Sequence, residues 1–164
     1  MVPYREKSQH GVLQVILRRR YKMGWIEPKT DWYGYTDSSG NYQGDRFNAV
    51  DYNRIKNNIE HLRILAIQIY TEFEIEDMGP DKTYTDYPYA DEINTIESNL
   101  ETVSKNTFGK NYGAKQTYKD NGAFIDFNEL NRIESAVLDL YNNLSSQYDG
   151  RRLLTFMLGA REVF

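Results

Sequence analysis

Cysteine is absent from this chain, which removes disulfides, zinc–thiolate centres and a thiol nucleophile together. Histidine is scarce, with only His10 and His61, too few to hold zinc without cysteine. No apolar run approaches the ~18 residues of a membrane span. The apolar stretch Val12–Leu17 has its basic residues mainly after it, the wrong order for a secretory signal. A soluble chain made in a cytoplasm, without a membrane span, is therefore expected. Glycine-rich phosphate loops, dinucleotide fingerprints and the Gly-x-Ser-x-Gly elbow are also missing. Residues 37–45 offer oxygen ligands, but the sixth and twelfth positions counted from Asp37 are Tyr42 and Asn48, where a calcium loop needs Gly and Glu. No catalytic residue, metal or cofactor is assigned, and the expectation is a protein that is not an enzyme.

Net charge is −4 over 164 residues, and it is divided unevenly. Residues 1–29 carry seven Lys/Arg and two Asp/Glu, a balance of +5, which leaves −9 for the rest. A mostly acidic body argues against nucleic acid as a partner. A basic end on an acidic body suits head-to-tail contacts or an acidic partner.

The richest signal is a nine-residue pattern used three times: Asp51–Ile59, Glu92–Leu100 and Glu129–Val137. Its form is acid, large apolar or aromatic, Asn, Arg or Thr, Ile, charged, small polar, any, aliphatic. Asn53, Asn94 and Asn131 occupy the third position, and Ile55, Ile96 and Ile133 the fifth. Self-similarity at this spacing marks a repeated supersecondary unit, and repetition points to a scaffold rather than to an asymmetric catalytic site. Each copy begins an apolar seam of steps of three and four, such as Ile55, Ile59, Leu62, Ala66, Ile69 and Phe73. Helices are expected over residues 49–73, 89–105 and from about 126 to 150. Asparagine is a poor helix former, so its recurrence predicts a structural role: its amide bonding the backbone of a neighbouring helix or loop.

The expected architecture is mainly α, a three-helix bundle built from this repeated motif. A small β element is expected from two terminal strands, Val12–Leu17 and Leu153–Leu158. Residues 1–29 read as a basic arm with an N-terminal strand, and 30–164 as the helical domain with a C-terminal strand. Residues 30–47 read as a loop, and Asn121-Gly122 suggests a hairpin or extended arm within 112–126.

Tyrosine is abundant, at 14 residues, and suits interfaces because it offers area and one hydroxyl at low entropic cost. Trp25, Trp32, Tyr33, Tyr35 and Tyr42 cluster ahead of the first helix, where aromatics can stack on sugar rings or anchor a partner. The two Trp are expected to cover the open end of the bundle and the Tyr to face outward. Arg18, Arg19 and Arg20 form a basic run suited to a protein contact. His61, flanking the seam, reads as a packed or surface histidine.

Lys29-Thr30-Asp31-Trp32, residues 45–60, Tyr112–Thr117, Glu129–Glu134 and the ending Arg152–Gly159 together resemble small virion proteins of phages and prophages of Gram-positive bacteria. The resemblance covers most of residues 29–160. It implies a non-enzymatic structural protein of the virion, a tail or baseplate component that assembles with other tail proteins as a homo-oligomer or in multiple copies within a symmetric particle. The alternative is a tail-tip module that recognises the host surface, with cell-wall glycan as its partner.

Overall fold

The computed structural model describes residues 24–159. It is mainly helical, with three helices and a two-stranded antiparallel sheet: β1 (Gly34–Thr36), β2 (Tyr42–Gly44), α1 (Ala49–Ala66), α2 (Ala90–Lys105) and α3 (Phe127–Gly159).

Each helix start carries a side-chain bond to a backbone amide. The Asn48 amide oxygen accepts the amides of Val50 and Asp51, and the Asp51 carboxylate accepts the Asn48 amide in return. Glu92 accepts the Tyr89 amide ahead of α2, and Asp126 accepts the Glu129 amide at the start of α3. These bonds satisfy amides that the first turn leaves unpaired.

The helices run parallel. Arg54 in the first turns of α1 reaches Glu134 in the first turns of α3, and beyond the end of α1 the Tyr70 hydroxyl reaches Gln147 of α3. At α2, Glu97 near the start pairs with Arg132 of α3, and Phe108 just past the end meets Tyr70. Parallel neighbours cannot be joined by tight turns. The chain must travel back ~24 Å, the length of a 16-residue helix, so residues 67–89 and 106–126 are long crossovers. Ile59, Leu62 and Leu65 of α1, Val103 of α2 and Leu140 and Leu144 of α3 are fully buried where the three seams meet; each contributes roughly 1.5–3 kcal/mol.

Three expectations are corrected. First, α1 ends at Ala66, not near 73, because the chain has to leave the helix axis to start its return; Ile69 and Phe73 still pack on the core. Second, α3 continues through Gly150 to Gly159, so Leu153–Leu158 is helix and not a strand. Leu and Met are strong helix formers, and one glycine costs only ~1 kcal/mol. The proposed partner strand, Val12–Leu17, lies outside the described residues. Third, the sheet is a hairpin inside residues 30–47, with Tyr35 opposite Gln43. Asp37 closes its turn by accepting the amides of Ser39 and Asn41. Gly44 has φ +135, and a Cβ there would lie 2.5 Å from the Tyr33 carbonyl oxygen. Residues 112–126 form no strand, so of the hairpin and the extended arm expected there the hairpin is absent.

Tyr52 is 1% exposed, and its hydroxyl has no hydrogen-bond partner. Removing an unpaired buried polar group relieves its desolvation cost. Tyr52→Phe is therefore expected to leave thermal stability unchanged or raise it by up to about 1–2 kcal/mol, measured by chemical denaturation.

Candidate functional site

The repeated asparagines are brought to equivalent places. Asn131 accepts the Trp32 amide at 2.8 Å and donates to the Trp32 carbonyl at 2.8 Å. Asn53 does the same to Lys82, at 2.8 Å for both bonds, and Asn94 to Tyr118, at 2.8 and 2.9 Å. A carboxamide can serve as donor and acceptor at once, so one side chain clasps one residue of extended backbone as a neighbouring strand would.

A second set of clasps lies at the eighth repeat position. Asn58 holds Ile26 by both backbone groups, and Asn99 holds Glu76. The two sets are related in a cycle. The segment before α1 is held at Ile26 by α1 and at Trp32 by α3. The segment before α2 is held at Glu76 by α2 and at Lys82 by α1. Both pairs are six residues apart. The segment before α3 is held at Tyr118 by α2, but the eighth position of α3 is Ala136. There the Tyr112 hydroxyl and Lys110 ammonium bind Asp139 instead, both at 2.7 Å. Partial burial disfavours the charge of Asp139, but these two donors outweigh it and hold its carboxyl below the usual range.

The sixth repeat position is charged and buried in every copy: Lys56 at 3%, Glu97 at 2% and Glu134 at 0% exposure. Glu134 accepts from both nitrogens of the Arg54 fork, from the Trp32 indole at 3.0 Å and from the Lys29 amide at 2.9 Å. Glu97 pairs with Arg132. Burial pushes the Glu97 carboxyl above its ordinary range, and Arg132 opposes that rise. At Lys56 the chemistry is inverted: its ammonium donates to the Gly79 carbonyl at 2.7 Å and pairs with Asp81 at 2.8 Å. Lys56 thus binds the crossover before α2, Glu134 the segment before α1, and Glu97 the Arg132 guanidinium together with the Gln116 backbone in the crossover before α3. Ile55, Ile96 and Ile133, one residue earlier, are core residues.

The aromatic stretch is divided by the structure. Trp32 is 4% exposed, and Trp25 stacks on Tyr141 with ring centroids 3.8 Å apart and also meets His61. Both indoles lie in the groove between α1 and α3 rather than over an open end. Tyr33, Tyr35 and Tyr42 of the hairpin are at least half exposed. Sequence reasoning singled out these three but missed a second exposed set, Tyr84, Tyr87 and Tyr89, at 98, 80 and 67%. Their Pro88-containing setting in a long crossover was the available signal. Arg18, Arg19 and Arg20 lie outside the described residues.

His61 is 6% exposed, and burial lowers its pKa, favouring the neutral imidazole. Two surface cavities of about 370 and 430 Å³ flank the crossover before α3. In the first, Arg132 is paired with Glu97 and Glu129, and Lys105 and Lys115 with Glu101. The second is framed by Tyr89, Ile93, Tyr118 and Phe124. Among the described residues no cluster of three metal-ligating side chains forms, and no helix is long and apolar enough to cross a membrane. Comparison with protein-family models, characterised proteins and solved structures finds no match for this chain.

Burial pushes the Tyr52 and Tyr118 phenols up to about 12, from an ordinary value near 10. An unfolded chain ionises these groups first, so their contribution to stability is complete below pH 10 and is lost as pH rises toward 12. Tyrosinate absorbance from these two buried phenols is expected only as pH rises toward 12, together with the loss of helical circular dichroism; their ionisation with helicity retained would contradict this.

Proposed function

We propose that this chain is a non-enzymatic structural protein of a phage virion, a tail or baseplate component that assembles in several copies with other tail proteins. The observation that carries the reading is how the polar side chains of the repeats are used. Five asparagines and three buried charges bind the extended segments that precede the chain's own helices, while tyrosines on those segments face solvent. That is the economy of a rigid support presenting a contact surface, with the three repeats acting as copies of one crossover–helix unit. The likeness of residues 29–160 to phage virion proteins supports the same reading.

Immunoblotting of purified particles, intact and disrupted, tests it. The protein is expected in particles after removal of free lysate protein, and immunogold labelling is expected at the tail end. Particles free of this chain would reject a virion role.

A second reading, host-surface recognition at the tail tip, is favoured by the outward Tyr33, Tyr35 and Tyr42. It expects wild-type protein to co-sediment with purified cell wall. It also expects the triple alanine variant to lose that binding while melting at the same temperature.

A further inference from the structure

The crossover between α1 and α2 is strongly acidic. Residues 71–92 carry eight carboxylates against a single lysine, a balance of −7. Lys56, Arg63 and Lys82 pair with some of these. Glu76, Asp77, Asp86 and Asp91 form no ion pair among the described residues. Nearby Glu60 has its carboxyl pushed up by burial, a rise that Lys56 opposes and that Asp81 and Asp77 add to. The most exposed tyrosines among the described residues stand in the same segment, Tyr84 and Tyr87 foremost.

The chain also contains a match for this strip. Residues 1–22 hold six Lys/Arg and one Glu, a balance of +5. Within them lies Arg18-Arg19-Arg20-Tyr21-Lys22. Guanidinium groups pair with carboxylates and stack on tyrosine faces, the two chemistries the strip offers. The positions matter as well. The described chain begins beside Trp25, which is packed against His61 and Tyr141 well along α1 and α3. Residues 26–32 then run back toward the helix starts. Tyr84, Tyr87 and Tyr89 follow Lys82, clasped by Asn53 in the first turns of α1, and therefore stand with Asp86 and Asp91 at the opposite pole, while Glu72 and Glu74 lie beside Arg63 in the last turn of α1. A contact between unlike poles of successive copies is heterologous and builds a ring or a filament.

We propose that the basic segment 5–22 of one copy docks on the acidic, tyrosine-bearing crossover 71–92 of the next, joining copies head to tail. This rests on the assembly reading above and names the surfaces that carry it.

Sedimentation velocity of the full chain at low and high salt tests the proposal. Concentration-dependent association is expected at low salt and should weaken at least tenfold at 0.5 M salt, where the screening length falls to about 4 Å. Arg18→Glu/Arg19→Glu/Arg20→Glu and, separately, Asp86→Lys/Asp91→Lys should each be monomeric with wild-type circular dichroism. Mixing the two charge-reversed variants should restore a complex. Tyr84→Ser/Tyr87→Ser, at positions exposed enough to spare folding, should weaken association without changing the melting temperature. A wild-type chain that stays monomeric, association that survives either reversal, or a mixture that does not associate would overturn the proposal. The two readings fail separately: a monomeric chain found in virions rejects the docking alone, whereas charge-dependent association of a chain absent from virions rejects the virion role alone.

Discussion

Glu134→Ala is expected to destabilise the protein by about 3–5 kcal/mol, the cost of breaking a buried ion pair from one side. The side chain is fully buried and takes four donors: two from Arg54, one from the Trp32 indole and one from the Lys29 amide. Alanine strands Arg54, itself largely buried, with only Asp51 at 2.8 Å to neutralise it. It also leaves the indole N–H without an acceptor in a buried site. Comparison with Arg54→Met/Glu134→Leu separates the two costs. Where a buried ion pair stands alone, an apolar replacement of similar volume is often neutral. Here the double variant should recover only part of the loss, because Trp32 and Lys29 remain unanswered. Adding Trp32→Phe should recover more. Urea denaturation of the three variants measures this directly; a single alanine costing under ~1 kcal/mol would mean that the carboxylate is solvated.

The same ring explains what the sequence makes legible and what it hides. The helix starts are readable because caps are local: Asn48 and Asp51, or Asp126 and Glu129, lie three residues apart. The fifth-position isoleucines are readable because their spacing repeats. The third-position asparagines stand out since a poor helix former recurs in three helices without a local reason. Asn58 and Asn99 make the same clasp, yet Ala136 breaks the series, and two occurrences do not announce a rule. The charges of Lys56, Glu97 and Glu134 are harder still. A residue beside an apolar seam is normally solvated, and only the crossover laid over it makes it buried; that crossover is non-local. The sign change from Lys56 to the two glutamates hides the equivalence further, because an ammonium bonds a carbonyl where a carboxylate bonds an amide. Leu153–Leu158 reads as a strand for a simpler reason: Gly150 resembles a helix stop, but it lies within α3 without a positive φ, and the leucines beyond it favour helix intrinsically.

Asn131→Ala should cost about 2–4 kcal/mol, since it releases both backbone groups of Trp32 and each part-buried orphan costs ~1–3 kcal/mol before water replaces some of the loss. Asn131→Asp is the sharper probe. It preserves shape and still accepts the Trp32 amide, but it sets a carboxylate oxygen against the Trp32 carbonyl where the carboxamide donated. It should therefore be destabilised at neutral pH and recover as acid protonates the new group, whose folded pKa must be raised by that carbonyl. The sign follows from linkage: a raised folded pKa gives stability that is present at low pH and lost as pH rises through it. Asn53→Ala and Asn94→Ala break the same two bonds to Lys82 and Tyr118, which are less buried than Trp32, so their losses should be smaller. Combining Asn131→Ala with Glu134→Ala should cost less than the sum, because both hold the segment from Lys29 to Trp32 and once it is released the second contact has little left to lose. Combining Asn94→Ala with Asn131→Ala, which hold different segments, should be close to additive. Additivity in the first pair would show that the segment is not held as a unit. An unchanged melting temperature in all three single alanine variants would remove the clasps from the account of stability altogether.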